Sequence, residues 1–395
     1  MERVSIRPRN NWQQTVESQG LHYHTTPREA QADDPGQSSQ DGGRPYWDES
    51  AYYRFTAAEI DALEACTYAL NDCCLRAAEH IVQRNLFRQV GIPDSHVQWV
   101  RRSWERDEHT IYGRFDLRYD GNGPPRLLEY NADTPTALLE AAVIQWYWMK
   151  DCCDVEQCDQ YNSIHERLLE IFRTLHQLHE GRFYFTAVSG NLEDFMTANY
   201  LRDVAIQAGW DTQYINIEDV GWHEARRQFT DLSERPIRLC FKLYPWEWMV
   251  REQFGSKLML DTTRWWEPPW KALLSNKGLL AILHELFPDS PYLLPASFDP
   301  LPGVAQIKKP LHGREGANVT FLNEVGKAVF TTPGPYQGPF VHQQYCPLPD
   351  FEGYHPVIGS WLVNGYACGI GIREDQALIT TNRSRFIPHV FQRRQ

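Results

Sequence analysis

Two short runs of alternating polar and apolar residues carry side chains that could do chemistry together. The runs flank a turn at 120–123 and predict two antiparallel strands. Because side chains alternate between the faces of a strand, Arg114 and Asp116 share one face of the first strand. Glu129 and Asn131 share one face of the second. If the two faces coincide, two carboxylates and an amide form a site suited to Mg²⁺, which prefers oxygen ligands and leaves positions for water and substrate phosphates.

A solvated charge pattern is the competing interpretation of this hairpin. Both carboxylates could pair across the strands with Arg114 and Arg118, and exposed pairs of this kind contribute little to stability. The loop after Asn131 favours a binding site instead, because it adds three polar side chains: Asp133, Thr134 and Thr136.

The second half of the chain supplies cations. Lys277 stands at the start of a predicted helix, and a predicted strand carries Lys309. Arg314 lies in a loop with glycines on both sides, which favours a mobile segment. A hairpin with an Asn-Gly turn ends near Arg373. Phosphoryl transfer depends on positioning and on charge neutralisation by Mg²⁺, Lys and Arg, so nucleoside triphosphate chemistry is indicated. The usual phosphate-binding loop, G-x-x-x-x-G-K-[ST], is absent from the sequence.

The elements that must position these residues form a mixed α/β pattern. A capping box at Thr56 and Glu59 opens a long helix toward Asn85, and a further helix is expected over 138–149. Downstream, the expected order is strand 182–188, helix 191–209, strand 212–217, helix 222–229 and strand 237–243, followed by an aromatic linker over 265–270.

This β-α-β-α-β order predicts a small Rossmann-like lobe, whose ligands bind at the carboxyl ends of the strands. Glu193 and Asp194 follow one such strand end. They could serve a substrate, or they could simply be acids favoured by the dipole at the start of a helix.

The composition is that of a folded protein of 395 residues with a net charge of -12. This charge argues against partners such as nucleic acid or an anionic membrane, and it suits a cationic substrate. No apolar run approaches the roughly 18 residues of a membrane-spanning helix, and no export signal is visible. The nine cysteines do not form a disulfide framework, so we expect reduced thiols and a cytoplasmic protein. The polar segment 27–44 is expected to be a loop or a disordered linker.

Four motifs, in this order, resemble the synthetase domain of the glutathionylspermidine synthase family. They are Tyr112-Gly-Arg-Phe-Asp116, Leu128-Glu-Tyr-Asn-Ala-Asp-Thr-Pro-Thr136, Lys308-Lys-Pro-Leu-His-Gly-Arg-Glu-Gly316 and Gly369-Ile-Gly-Ile-Arg-Glu-Asp375. The resemblance extends from about the amino terminus to Pro388. It implies a circularly permuted ATP-grasp fold, of mixed α+β and α/β class, with a Rossmann-like pre-ATP-grasp lobe and a mobile lid. The hairpins at 112–131 and 357–373 would then share one sheet. Bifunctional members carry an amidase domain ahead of the synthetase, for which this chain has no room.

The resemblance also implies a division of the chain. The expected units are an N-terminal, partly flexible segment at 1–45, a helical region with the metal-binding strands at 46–180, a Rossmann-like substrate lobe at 181–270, a lid lobe at 271–345, and closing strands of the ATP-grasp core at 346–395.

Residue roles follow from the same resemblance. Asp116, Glu129 and Asn131 match the Mg²⁺ ligands. Arg114 matches an arginine that steadies the transferred phosphate, Arg314 one in the closing loop, and Arg373 one near the γ-phosphate. ATP would be bound by Lys277, Lys309, Gln343, Gln344 and Tyr345. Thr134 and Thr136 stand where the family has serines that contact a thiol-peptide substrate, and Glu193 and Asp194 fall near an acidic pair of the substrate pocket.

The implied reaction joins a carboxylate to an amine. The carboxylate attacks the γ-phosphate of ATP, and the amine then displaces phosphate from the acyl phosphate. ATP and Mg²⁺ are the expected cofactors, and a glutathione-like acid and a polyamine-like amine the expected substrates. Two alternatives remain open: a ligase for another peptide or a protein carboxyl terminus, and a module that binds ATP or peptide without turnover.

Overall fold

The helices surround four main sheets in the computed structural model, which describes residues 1–26, 44–377 and 384–393. The α-helices are Trp12–Ser18, Ala57–Arg84, Val97–Glu105, Gln145–Cys152, Ile164–Leu178, Leu192–Gln207, Trp246–Met249, Gly255–Leu258 and Gly278–Leu286. Short 3-10 helices span Asp94–His96, Ile217–Asp219 and Pro269–Leu273, and a π-helix spans Glu140–Ile144. The predicted linker at 27–44 falls, except for its last residue, outside the described residues.

The central sheet is antiparallel and combines the two hairpins that the sequence predicted. Its strand order is Arg385–Ile387, Tyr366–Asp375, His355–Val363, Tyr112–Arg118 and Arg126–Asn131. Both hairpins are therefore confirmed, and they share one sheet although more than 200 residues separate them in sequence.

The long helix Ala57–Arg84 packs against the central sheet and is capped as predicted. The Thr56 hydroxyl accepts a hydrogen bond from the Glu59 N–H, and the Glu59 carboxylate accepts one from the Thr56 N–H. At the other end Asn85 adopts a left-handed conformation with φ 56°. The buried stripe of this helix includes Leu63 and Leu70, which belong to the main hydrophobic core.

The parallel sheet has the order Arg264–Trp266, Leu239–Leu243, Phe183–Ala187 and Thr212–Asn216. The helix expected over 222–229 is wrong: Gly221–His223 and Gln228–Thr230 form an antiparallel hairpin. Trp222 and Phe229 face each other across this ladder with ring centroids 5.1 Å apart, so aromatic cross-strand packing outweighs the weak helical pattern. The linker expected over 265–270 is also wrong, because Trp265 and Trp266 lie buried in an edge strand.

Two further sheets complete the architecture. The distal sheet has the order Ala296–Ser297, Phe340–Gln344, Gln306–Pro310, Thr320–Leu322 and Ala328–Thr331. The terminal sheet has the order Glu2–Ser5, Ala51–Thr56, His389–Gln392 and Cys158–Asp159, and a small ladder joins Thr25–Thr26 to Arg44–Pro45.

The helix expected over 138–149 begins as predicted and then widens into the π-helix Glu140–Ile144 before it continues as Gln145–Cys152. Among the described residues, no helix is both long and apolar enough to cross a membrane.

Candidate active site between the central, parallel and distal sheets

A polar cleft of about 430 Å³ opens where the central sheet meets the parallel sheet and the loop 311–317. Eleven of the fifteen predicted site residues line it. They are Arg114, Asp116, Glu129, Asn131, Thr134, Thr136, Glu193, Asp194, Lys277, Arg314 and Arg373. The structure therefore brings together residues from five distant parts of the chain.

A second cavity of about 370 Å³ adjoins the first and is more apolar. The other four predicted residues line it, namely Lys309, Gln343, Gln344 and Tyr345. Its walls include Leu294, Ile307, Val319, Phe321 and Leu348. The two cavities have five lining residues in common: Asp116, Glu129, Lys277, Gly313 and Gly316. The acidic residues of the hairpin thus lie where a polar and an apolar chamber meet.

The three candidate metal ligands lie on one face of the hairpin. Arg114 pairs with Asn131 and Asp116 pairs with Glu129 in the strand register, and the register shifts just beyond this pair. The Asn131 amide nitrogen lies 3.1 Å from Asp116 Oδ2 and 3.4 Å from Glu129 Oε1. Rotation of this amide would present its oxygen at the same point.

This donor set fits a hard cation. It holds two carboxylates and one amide, with room for water and phosphate oxygens beside it. Within the described ranges no cluster of three or more His, Cys, Asp or Glu side chains is arranged to hold a metal.

Two lysines face the carboxylate of Glu129 from the other side. Lys277 Nζ lies 3.0 Å from Glu129 Oε2 and donates to the Gly313 carbonyl at 2.7 Å. Lys309 donates to the Leu128 carbonyl and to Gln343 Oε1. Burial acts to raise the pKa of Glu129, but the charges of Lys277 and Lys309 outweigh it and hold that pKa at about 2.

Burial has the opposite consequence for Lys309, whose pKa falls to about 8 although Glu129 acts to raise it. The ammonium group of Lys277, which pairs with Glu129, borders both cavities, and Lys309 lines the apolar one. Such charge is suited to bind phosphate groups between them.

Arg114 is held rigidly beside Asp116. Its Nε and a terminal nitrogen donate to the two oxygens of Asp116 at 2.6 and 3.1 Å, and its other terminal nitrogen donates to the Thr136 carbonyl at 2.6 Å. Gly359 is the cross-strand partner of Asp116, and a Cβ atom there would lie only 2.7 Å from Arg114 Cδ. The absence of a side chain at Gly359 makes room for the arginine.

The loop that carries Arg314 is docked onto the cleft. The Arg314 guanidinium donates to Glu247 Oε1 at 2.6 and 3.2 Å and to the Thr134 hydroxyl at 3.0 Å. The Glu247 side chain is only 7% exposed. Glu247 belongs to the short helix Trp246–Met249 that follows the strand Leu239–Leu243, at the sheet end where the parallel arrangement predicts a ligand site.

Acidic side chains dominate the end of the cleft formed by the parallel sheet. Glu193 and Asp194 occupy the first turn of the helix Leu192–Gln207, which Asn191 caps by accepting from the Asp194 N–H. Burial and then the charge of Glu193 raise the pKa of Asp194 to about 7. Both acids lie in the first helical turn and also line the cleft, so the helix-start interpretation does not conflict with a substrate role, which stays a prediction.

The N–H groups of Gln344 and Tyr345 donate to the carbonyls of Pro295 and Ala305. These two N–H groups are therefore satisfied within the protein. The apolar cavity offers a nucleobase its hydrophobic walls and the polar edge formed by Gln343 and Lys309.

Two side-chain pairs around the site were not predicted from the sequence. Lys242 and Asp133, both buried, form an ion pair of 2.7 Å that joins the parallel sheet to the loop after Asn131. Tyr46 lines the cleft and donates a hydrogen bond to Glu140, which is fully buried. No local pattern marks these pairs, because 109 and 94 residues separate their members in sequence.

Comparison with known proteins supplies the family. The family model described as glutathionylspermidine synthase preATP-grasp matches residues 3–392. The chain belongs to this family. The resemblance seen in the four sequence motifs is thereby confirmed.

Members of the glutathionylspermidine synthase family and their relatives are ATP-dependent acid–amine ligases. A Haemophilus influenzae protein, named only provisionally as an acid–amine ligase, is 40% identical and is matched over 99% of this chain and 100% of its own length. Trypanothione synthetase of Crithidia fasciculata is 27% identical over 80% of this chain, and the bifunctional glutathionylspermidine synthetase/amidase of Escherichia coli is 25% identical over 85%. The chain spans 53% and 58% of the length of these last two relatives.

One solved structure of another protein aligns with this chain at low sequence identity. The glutathione synthetase-like effector from Globodera pallida, in its apo form, aligns with a TM-score of 0.55 and 8% identity over 86% of this chain and 88% of its own. The fold is therefore a mixed α/β fold with a structural neighbour among glutathione synthetase-like proteins.

Proposed function

We propose that the protein is an ATP-dependent ligase that joins the carboxylate of a peptide-like acid, such as glutathione, to a polyamine-like amine through an acyl phosphate. One observation carries this proposal. A polar cleft and an apolar cavity meet at Asp116, Glu129 and Lys277. The apolar cavity suits a nucleobase, the junction suits its phosphates, and the polar cleft suits the acid and the amine.

In the first step a carboxylate oxygen of the acid attacks the γ-phosphorus of ATP, and the bond to the bridging oxygen breaks to release ADP. Lys277 and Lys309 hold the phosphates at the junction of the cavities. Arg114 and Arg373 neutralise the charge that develops on the transferred group. Asp116, Glu129 and Asn131 would hold Mg²⁺, which when bound supplies charge neutralisation and orientation to the phosphate oxygens.

In the second step the amine nitrogen attacks the acyl carbon, and phosphate leaves with the electrons of the broken bond. No side-chain nucleophile is needed. Thr134 and Thr136 would contact the acid, and Glu193 and Asp194 would contact the cationic amine. The role of Glu193 and Asp194 is supported by their negative charge, which attracts a cationic polyamine.

The proposal extends to the architecture. We propose that the closing strands in 346–395 complete a circularly permuted ATP-grasp core begun in 46–180, that 181–270 forms the substrate lobe, and that 271–345 forms the lid lobe, with 1–45 as a peripheral segment. Sharing of the central sheet by Tyr112–Arg118 and His355–Val363 supports the permuted order. The cytoplasmic location expected from the thiols remains a prediction.

The test is release of ADP from Mg²⁺-ATP in the presence of acids and amines, supplied singly and together. We expect ADP to form only when a suitable acid is present, and amide to accumulate only when the amine is added too. If ATP binds but no acid and amine pair raises ADP release, the ligase proposal fails and a nucleotide-binding module is favoured. Acceptance of other peptides in place of glutathione would support the alternative ligase.

A further inference from the structure

A buried carboxylate lies behind the wall of the cleft and has no role in the mechanism so far. Glu140 is fully buried, and its Oε1 accepts a hydrogen bond of 2.7 Å from the Tyr46 hydroxyl. Its Oε2 has no hydrogen-bond partner among the described residues. Burying a carboxylate with an unsatisfied oxygen costs free energy of folding, which points to a functional role for Glu140.

The geometry of this pair determines what Tyr46 offers to the cleft. A phenol carries one O–H donor and acceptor lone pairs. Because Tyr46 commits its hydrogen to Glu140, its oxygen can only accept a hydrogen bond from a ligand in the cleft. An N–H of an amine or ammonium group is a suitable donor.

Tyr46 lines the same cleft as Glu193 and Arg373. Burial, followed by the charges of Glu140 and Glu193, raises the pKa of its phenol, while the charge of Arg373 acts to lower it. The proposed amine site at Glu193 and the proposed phosphate site at Arg373 therefore share a cleft with Tyr46.

We propose that Tyr46 and Glu140 form a proton relay that deprotonates the amine nucleophile. This inference rests on the proposed ligase function and adds the fate of the proton to it. An N–H proton of the ammonium passes to the Tyr46 oxygen while the Tyr46 proton passes to Glu140 Oε1. The freed nitrogen lone pair attacks the acyl carbon, and phosphate departs. Glu140 then holds the proton, which returns to solvent through Tyr46 after the product leaves.

The surroundings of Glu140 suit this task. Burial and then the charge of Glu193 raise the pKa of Glu140 to about 7, which is closer to that of an amine than the pKa of an exposed carboxylate would be. Its neighbours from the packed elements are Tyr46, Tyr23 and Glu193. The carboxylate also belongs to a π-helix, a geometry that is frequent at functional sites.

The test compares two nucleophiles with the same acid and Mg²⁺-ATP. Spermidine is protonated near neutral pH and needs a base, whereas hydroxylamine is largely neutral and does not. We expect Tyr46→Phe and Glu140→Gln to lower kcat for spermidine roughly 100-fold or more, while hydroxamate formation stays within about threefold of the wild-type rate. The KM for ATP should not change.

Tyr23→Phe is the matched control. The Tyr23 phenol is buried beside the same carboxylate, whose charge raises its pKa after burial itself, but it does not line the cleft. We expect this variant to retain both activities.

Each other outcome is decisive. Equal loss of both products in Tyr46→Phe and Glu140→Gln would assign them a structural role and overturn the relay, as would full activity with spermidine. If the wild-type protein forms neither product with any acid, the ligase function fails and the relay fails with it.

Discussion

The carboxylate of Glu247 accepts two hydrogen bonds from the guanidinium of Arg314, and this pair joins the parallel sheet to the loop 311–317. Thr134 accepts a third hydrogen bond from the same guanidinium. The loop is thereby fixed over the polar cleft by one buried acid and one hydroxyl. The proposed lid thus has a defined attachment point.

Glu247→Gln should release this loop. Removing the charge weakens a buried, charge-assisted pair by about 1–3 kcal/mol, so the loop should spend more time away from the cleft. We expect limited proteolysis within 311–317 to become several-fold faster and ATP to protect the loop less than in the wild type. Glu252→Gln, an exposed acid nearby, is the control and should match the wild type. Unchanged cleavage in Glu247→Gln would rule out this attachment.

Glu129→Ala tests the proposed metal site. We expect Mg²⁺-dependent ADP release to fall below detection, because the variant loses a carboxylate at the junction of the two cavities. Circular dichroism and thermal unfolding should remain close to the wild type. Asp120→Ala removes a carboxylate from the far end of the same hairpin and should retain activity. An active Glu129→Ala protein would refute the assignment of this ligand.

The hairpin around Glu129 was predictable because its information is local. Alternating side chains and a turn define two strands, and period two places Asp116 on a face with Arg114 and Glu129 on a face with Asn131. The register of the folded hairpin then pairs Asp116 with Glu129. Only the family resemblance predicted that this hairpin shares a sheet with the hairpin at 357–373.

Other features were not predictable, because they depend on contacts between distant segments. The helix expected over 222–229 is one example, because the rings of Trp222 and Phe229 pack across a hairpin instead. The pair of Tyr46 and Glu140 has no signature in the sequence, since neither residue belongs to a recognisable motif. Tertiary packing decides such cases.

Gly359→Ala should disturb Arg114 without touching a substrate. The new Cβ would lie 2.7 Å from Arg114 Cδ, so the arginine must move away from Asp116. We expect ligase turnover to fall roughly 10- to 100-fold, with ATP affinity changed much less, because the displaced guanidinium would no longer neutralise the charge on the transferred phosphate. In a double-mutant cycle with Arg114→Lys, the second substitution should add little. Additive effects of the two substitutions would show that Gly359 acts by another route.

The raised pKa of Glu140 predicts a pH dependence of stability that is independent of activity. The ordinary pKa of the group is 4.5, and burial followed by the charge of Glu193 raises it to about 7 in the folded protein. Between these values the folded state binds a proton that the unfolded state has lost. The contribution to stability is therefore fully present below about pH 4.5, and it declines as the pH rises toward 7, by up to about 1.4 kcal/mol per pH unit.

Glu140→Gln removes this titration, so the free energy of unfolding should fall less steeply with pH across that window. Urea denaturation at a series of pH values measures both slopes. Glu285→Gln, which removes an exposed carboxylate, should keep the wild-type slope. Parallel curves for the wild type and Glu140→Gln would mean that Glu140 titrates alike in the folded and unfolded chains. The relay would then lose the poised carboxylate on which its proton transfer depends.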